Sequence, residues 1–153
     1  MVPSSHPFTV VVGDDFEPGS AYAFDRAVEL VVRVPRSLLH VVHVVREGTT
    51  ATDVHRLTAM LRVYIEEKCL AAHHPAQLVA IHVRRGQPAQ EIVLLATEGA
   101  ADLIMLGAQA RTRVLGLLQG SLGARLARDA PCPVLVAEPI GGRAFAPGRH
   151  VST

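Results

Sequence analysis

Two short stretches hold residues whose types and spacing could do chemistry. The first is Gly13-Asp14-Asp15, a glycine and two adjacent carboxylates that follow an apolar run. Two neighbouring acids repel a polyphosphate unless a divalent cation such as Mg²⁺ lies between them and it. The second stretch runs from Leu106-Gly107 through Ala110-Arg111 and Arg113 to Gly120-Ser121-Leu122-Gly123. Its glycines let backbone approach a ligand closely, and Gly120-Ser121 near the beginning of a helix offers N–H groups and a hydroxyl to an anion. Arg111 and Arg113 can add charge-assisted hydrogen bonds, which completes the inventory of a phosphate cradle. The plainer reading makes Gly107 a strand end, Gly116 and Gly120 turn or packing residues, and the arginines solvated.

Histidines and cysteines offer less. Of the eight histidines, His40 and His43 stand three apart on an expected strand, so they point to opposite faces and cannot share one ion. His43 is expected to be packed and hydrogen-bonded at the strand end, and His73-His74 to be solvated cations at a helix C-terminus. Cys69 and Cys132 belong to no C-x-x-C pair, and no H-E-x-x-H occurs, so neither a zinc site nor a disulfide scaffold is expected. The chain also lacks the G-x-x-x-x-G-K-[ST] loop, the G-x-G-x-x-G fingerprint and the G-x-S-x-G elbow. It reads as a binding protein and not as a turnover enzyme.

The elements that must position these residues follow from the apolar pattern. Phe8 to Val12, Leu38 to Val45, Leu78 to Val83, Asp102 to Leu106 and Pro133 to Ala137 are continuous, largely β-branched runs, as expected of strands covered on both faces. Between them lie helical spacings: Phe24, Ala27, Val28 and Val31 after a cap at Ser20; Val54, Leu57, Leu61, Tyr64 and Ile65 after Thr49, Thr50 and Thr52; Ile92, Leu95 and Ala96 after Pro88; and Leu115, Leu118, Leu122 and Leu126 before Pro131. Strands alternating with helices predict a single doubly wound α/β domain over residues 7–139, with helices on both faces of a five-stranded parallel sheet. Residues 140–153 read as a flexible tail. Ligands of such sheets bind beyond the carboxyl ends of the strands, where the strand order reverses, which is where both stretches fall.

Composition narrows the function. The 153 residues are 49% hydrophobic but only 4% aromatic, with no Trp, and 15 Lys+Arg oppose 14 Asp+Glu. A near-neutral chain with few stacking platforms is not built for nucleic acid. No stretch crosses a bilayer uncut and the start has no basic n-region, so a soluble cytoplasmic protein is expected. A response-regulator receiver also ends its first strand in two acids, but it needs an Asp after the third strand and a Lys after the fifth. Here Val83-Arg84-Arg85-Gly86 and Ala137-Glu138-Pro139 stand in those places.

The residues together resemble the universal stress protein family, from about Thr9 to about Glu138. That family's ATP-binding signature is Gly, two residues, Gly, nine residues, Gly, then Ser or Thr; this chain has Gly107, two residues, Ala110, nine residues and Gly120-Ser121. Val10 to Phe16 with Pro18, His43-Val44-Val45, Arg85 to Ile92, Ala101 to Gly107 and Pro131 to Val136 match in the same order. The resemblance implies strand order 3-2-1-4-5 and binding of ATP or a related adenine nucleotide such as AMP or cyclic AMP. It puts Asp15 at the adenosine end, a main-chain group of Val44 facing adenine, Gly107 by the ribose, and Ala110, Gly120 and Ser121 along the phosphates, with Gly13, Asp14, Leu106, Arg111, Arg113 and Leu122 around them. Ala110 replaces a glycine, which costs roughly 1 kcal/mol if that position needs φ > 0, and Gly123 stands where many members keep a second hydroxyl. The expected role is a stress-linked sensor or regulator that hydrolyses ATP slowly at most. The competing reading is a nucleotide-free module that dimerises through the Val134 to Val136 edge of the fifth strand.

Overall fold

A computed structural model describes residues 5–108 and 122–139. Strand β1, Phe8–Gly13, forms where Thr9 to Val12 are buried without a break, since both faces of the strand are covered. It pairs in parallel with β2, Ser37–Val45, on one side and with β4, Leu103–Gly107, on the other. Strand β3, Val79–Arg85, lies outside β2, and β5, Val134–Ala137, outside β4, so the all-parallel sheet has the order β3-β2-β1-β4-β5. The domain is therefore the doubly wound α/β sheet that the strand and helix pattern predicts, and its order reverses between β1 and β4.

Strand alternation divides the core into two layers. Val10, Val12, Leu39, Val41 and Met105 pack with Phe24, Ala27 and Val28 of α1, Pro18–Val31, and with Leu61 and Ile65 of α2, Ala51–Ala71. Val11, Val42, Ile104 and Leu106 face the other way, onto Ile92 and Leu95 of α3, Pro88–Glu98, and Leu126 of α4, Leu122–Asp129. Apart from Ala27, each of these side chains contributes about 1.5–3 kcal/mol by leaving water.

Local signals explain most boundaries. Thr50 caps α2 by accepting from the Asp53 N–H at 3.1 Å and donating back to Asp53 Oδ2 at 2.8 Å. Helix α1 differs from expectation: it begins at Pro18, whose fixed φ suits a first turn, with Glu17 at the cap position, so Ser20 lies inside the helix. Pro75 and a short 3₁₀ turn, Ala76–Leu78, delay β3 to Val79. Of the predicted fourth helix, Leu122 and Leu126 lie on α4, while Leu115 and Leu118 fall outside the described residues.

Candidate functional site

The carboxyl end of β1 separates its two acids. Gly13 closes the strand on the α3 side, where a side chain would run into Leu106 and Ile92. Asp14 then points back to the side of Val12 and is buried, 4% exposed. Its Oδ1 accepts the Phe16 N–H at 2.7 Å, while its buried Oδ2 has no hydrogen-bond partner. Burial pushes the Asp14 carboxyl above its ordinary pKa, and the Asp15 charge adds to this; the Phe16 N–H, His43 and Ser20 pull the other way.

Asp15 is exposed and is fixed by the start of α1. Its Oδ1 accepts from Ser20 Oγ at 2.7 Å and from the Glu17 N–H at 3.0 Å, and its own N–H donates to Ser20 Oγ at 3.2 Å. Ser20 thus holds the loop acid in place instead of capping the helix. Among the described residues, no group of three or more His, Cys, Asp or Glu side chains could hold a metal ion.

The end of β4 lies against the same first turn. A side chain on Gly107 would overlap the Gly19 carbonyl and stand 2.5 Å from Ser20 N, and one on Gly19 would come within 2.6 Å of the Ala108 carbonyl oxygen. Backbone meets backbone there, which brings the amino end of α1 beside the β1 and β4 carboxyl ends. The structure therefore gathers Gly13, Asp14, Asp15, Leu106 and Gly107 at the switch point. Val44 is half-buried at the end of the neighbouring strand β2, and Leu122 is half-buried at the start of α4. Ala110, Arg111, Arg113, Gly120 and Ser121 lie outside the described residues, as does the segment from 140 to 153.

An aromatic group that the motif pattern does not isolate stands beside these residues. His43 Nδ1 donates to the Asp14 carbonyl at 2.8 Å, so that nitrogen carries the proton, in keeping with the packed role expected of His43. The Phe16 ring meets the His43 ring edge-on, with centroids 4.7 Å apart, and lies 6.4 Å from Tyr64. Lys68 sits 5.8 Å from the Tyr64 ring centre and pairs with Asp25 at 2.9 Å. Burial, with the Asp14 and Asp25 charges, raises the Tyr64 phenol well above its ordinary pKa.

Two histidine findings modify the sequence reading. His40 finds a partner in His82, Nδ1 to Nε2 2.9 Å, the rings inclined by 19° on β2 and β3. His73 is exposed, but His74 is half-buried, its Nε2 has no hydrogen-bond partner, and burial lowers its pKa; a solvated cation is thus the wrong description of His74.

The sheet is doubly wound, and the amino end of α1 meets the β1 and β4 carboxyl ends through glycine backbone, with the Asp15 carboxylate fixed beside them, at the position where α/β sheets of this class take their ligands. The family description "Universal stress protein family" matches residues 8–138, and the chain belongs to that family. It is 28% identical over 137 residues to the universal stress protein Rv1636 of Mycobacterium tuberculosis, covering 84% of this chain and 94% of the relative. It is 43% identical to the universal stress protein MJ0531 of Methanocaldococcus jannaschii over 60 residues, which span 38% of this chain and 35% of that relative. In solved structures the fold is that of universal stress protein UspA from Lactobacillus plantarum, with TM-score 0.66, 20% identity, and 87% and 99% of the two chains covered. A universal stress protein in complex with cAMP gives 0.63 at 24% identity over 87% and 98%. The Arabidopsis thaliana family protein At3g01520 with AMP bound gives 0.62 at 16% over 92% and 97%. Among the described residues, no helix is long and apolar enough to cross a membrane.

Proposed function

We propose that the protein binds ATP or a related adenine nucleotide in the crevice at the carboxyl ends of β1 and β4, and acts in the cytoplasm as a stress-linked sensor or regulator. The observation that carries this reading is the Asp15 carboxylate, held by Ser20 and the Glu17 N–H at the switch point, beside the place where only glycines let α1 approach β4. Family members of the same fold with cAMP and AMP bound support an adenine ligand. Asp15 takes the adenosine end and Gly107 the ribose, while Ala110, Gly120 and Ser121, with Arg111 and Arg113, take the phosphates. Asp14 is buried while Asp15 is exposed, so Asp15 is the acid that would meet a cation carried by the phosphates. Saturable heat on titration with ATP, with and without Mg²⁺, which disappears in Gly120→Val, is the expected result.

The edge of β5 favours a second reading. Leu135 and Val136 are 44% and 51% exposed on a strand that pairs only with β4 among the described strands. A protein that is free of nucleotide as purified, gives no heat with millimolar ATP and sediments as a homodimer is the interaction module instead.

A further inference from the structure

Phe16 is out of place by two criteria. Its φ is +63°, in the left-handed region, where a bulky L-residue is disfavoured by roughly 1–2 kcal/mol. Among the described residues, three other non-glycine residues share that conformation, Arg36, His73 and Ala100, and all three lie where the chain leaves a helix for a strand, the usual place for it. Phe16 alone among the four lies in a strand-to-helix loop, at the ligand end of the sheet. It is also one of only four phenylalanines in the chain, and it stays 37% exposed. Gly or Asn would make this turn with less strain and without leaving a phenyl ring in water.

The surroundings hold that ring in place. The buried Asp14 carboxyl accepts the Phe16 N–H at 2.7 Å, and His43, locked by its bond to the Asp14 carbonyl, meets the phenyl edge. Tyr64 closes the side towards α2. An aromatic surface held by these contacts therefore stands at the ends of β1 and β2, next in the chain to Asp15, the position that the binding reading puts at the adenosine end. We propose that Phe16 is the stacking surface for the purine base, and that Asp14 and His43 are the positioning residues that hold it there. The inference rests on the proposed nucleotide site. It adds a specificity: the base contributes to affinity through its π-face, so ligands without a base bind poorly.

The chain has no tryptophan, so Phe16→Trp introduces a single reporter at this position. With full-length protein, saturating AMP or ATP is expected to quench Phe16→Trp emission, and inorganic triphosphate is not. Phe16→Gly removes the ring and relieves the backbone. It is expected to keep or raise the melting temperature while weakening AMP and ATP about 5- to 150-fold, the range of one base-aromatic stack. Wild-type affinity retained by Phe16→Gly, or Trp emission unchanged at saturating ATP, overturns the inference and leaves the nucleotide site standing. If the wild-type protein binds no adenine nucleotide, the site reading fails and the stacking role fails with it.

Discussion

Gly107→Ala tests whether the site depends on the close crossing of α1 over β4. The added methyl would stand 2.5 Å from Ser20 N and closer still to the Gly19 carbonyl carbon and oxygen. Non-bonded carbons rest about 3.5–4.0 Å apart, so the first turn of α1 must withdraw by more than about 1 Å. Every atom in the way is backbone, so no rotamer change relieves the contact. Overpacking of a close-packed interior costs typically about 1–3 kcal/mol, and the upper end applies where a helix has to move. Three kcal/mol lowers the melting temperature of a domain of this size by about 6–12 °C. Thermal unfolding of the full chain followed by circular dichroism measures it, with Gly48→Ala as the control, since a side chain at Gly48 meets nothing within 4 Å. A Gly107→Ala melting temperature within 2 °C of both wild type and Gly48→Ala would refute the argument. Withdrawal of α1 also moves Ser20, and with it the Asp15 carboxylate, so nucleotide affinity should fall together with stability in this variant.

Two pH predictions follow from the perturbed groups. The raised pKa of Asp14 means that the folded state holds its proton more tightly than the unfolded state. This contribution is full below the ordinary value of 3.8 and is lost as pH rises through the folded value, so Asp14→Asn should gain on wild type in urea midpoint as pH rises above about 4. Parallel midpoint curves for the two proteins between pH 4 and about 8 would show that Asp14 does not titrate as its burial requires. His40 and His82 have lowered pKa values, from burial in both and, for His82, from His40 and Arg84 as well, against which Glu98 acts. Their stability contribution is complete above about 6.5 and is lost as pH falls below it through the depressed folded values. His82→Gln should therefore flatten the wild-type loss of stability below pH 6.5, and an unchanged slope by hydrogen exchange or urea would count against the pair.

The fold was readable because its signals are local. Thr9 to Val12 form a strand covered on both faces, and only consecutive apolar or β-branched residues satisfy two cores at once. The threonines at 49, 50 and 52 mark the start of α2, where Thr50 caps the helix by accepting the Asp53 N–H. Ser20 shows where such reading stops: a hydroxyl near a helix start is a good cap, but Pro18 claims the first turn and the neighbouring Asp15 claims the hydroxyl. The His40–His82 contact could not be read at all, because it joins residues 42 apart and depends on the β2–β3 register, which sets Ala80 opposite His40 and Val42 opposite His82. The acids were readable only as a pair. Their separation follows from strand alternation carried one residue beyond β1, which turns Asp14 to the Val12 side and leaves Asp15 for solvent.

That separation changes what the doubled acid does. Two exposed carboxylates at a phosphate site would call for a cation; one buried and one exposed divide the work between support and contact. Asp14 faces inward, and its buried charge is costly unless it is neutralised, which is why burial raises its pKa. It nevertheless accepts the Phe16 N–H, and its main-chain carbonyl accepts a hydrogen bond from His43 Nδ1–H, so a single residue sets the backbone of one aromatic side chain and the ring of another. Asp15, tied to Ser20, keeps its place at the switch point without needing Asp14. Replacing Asp14 by an apolar residue would therefore remove the carboxyl that holds the Phe16 backbone, while the main-chain bond to His43 and the Asp15 anchor stay intact. Base recognition should be lost in such a variant before the rest of the site is.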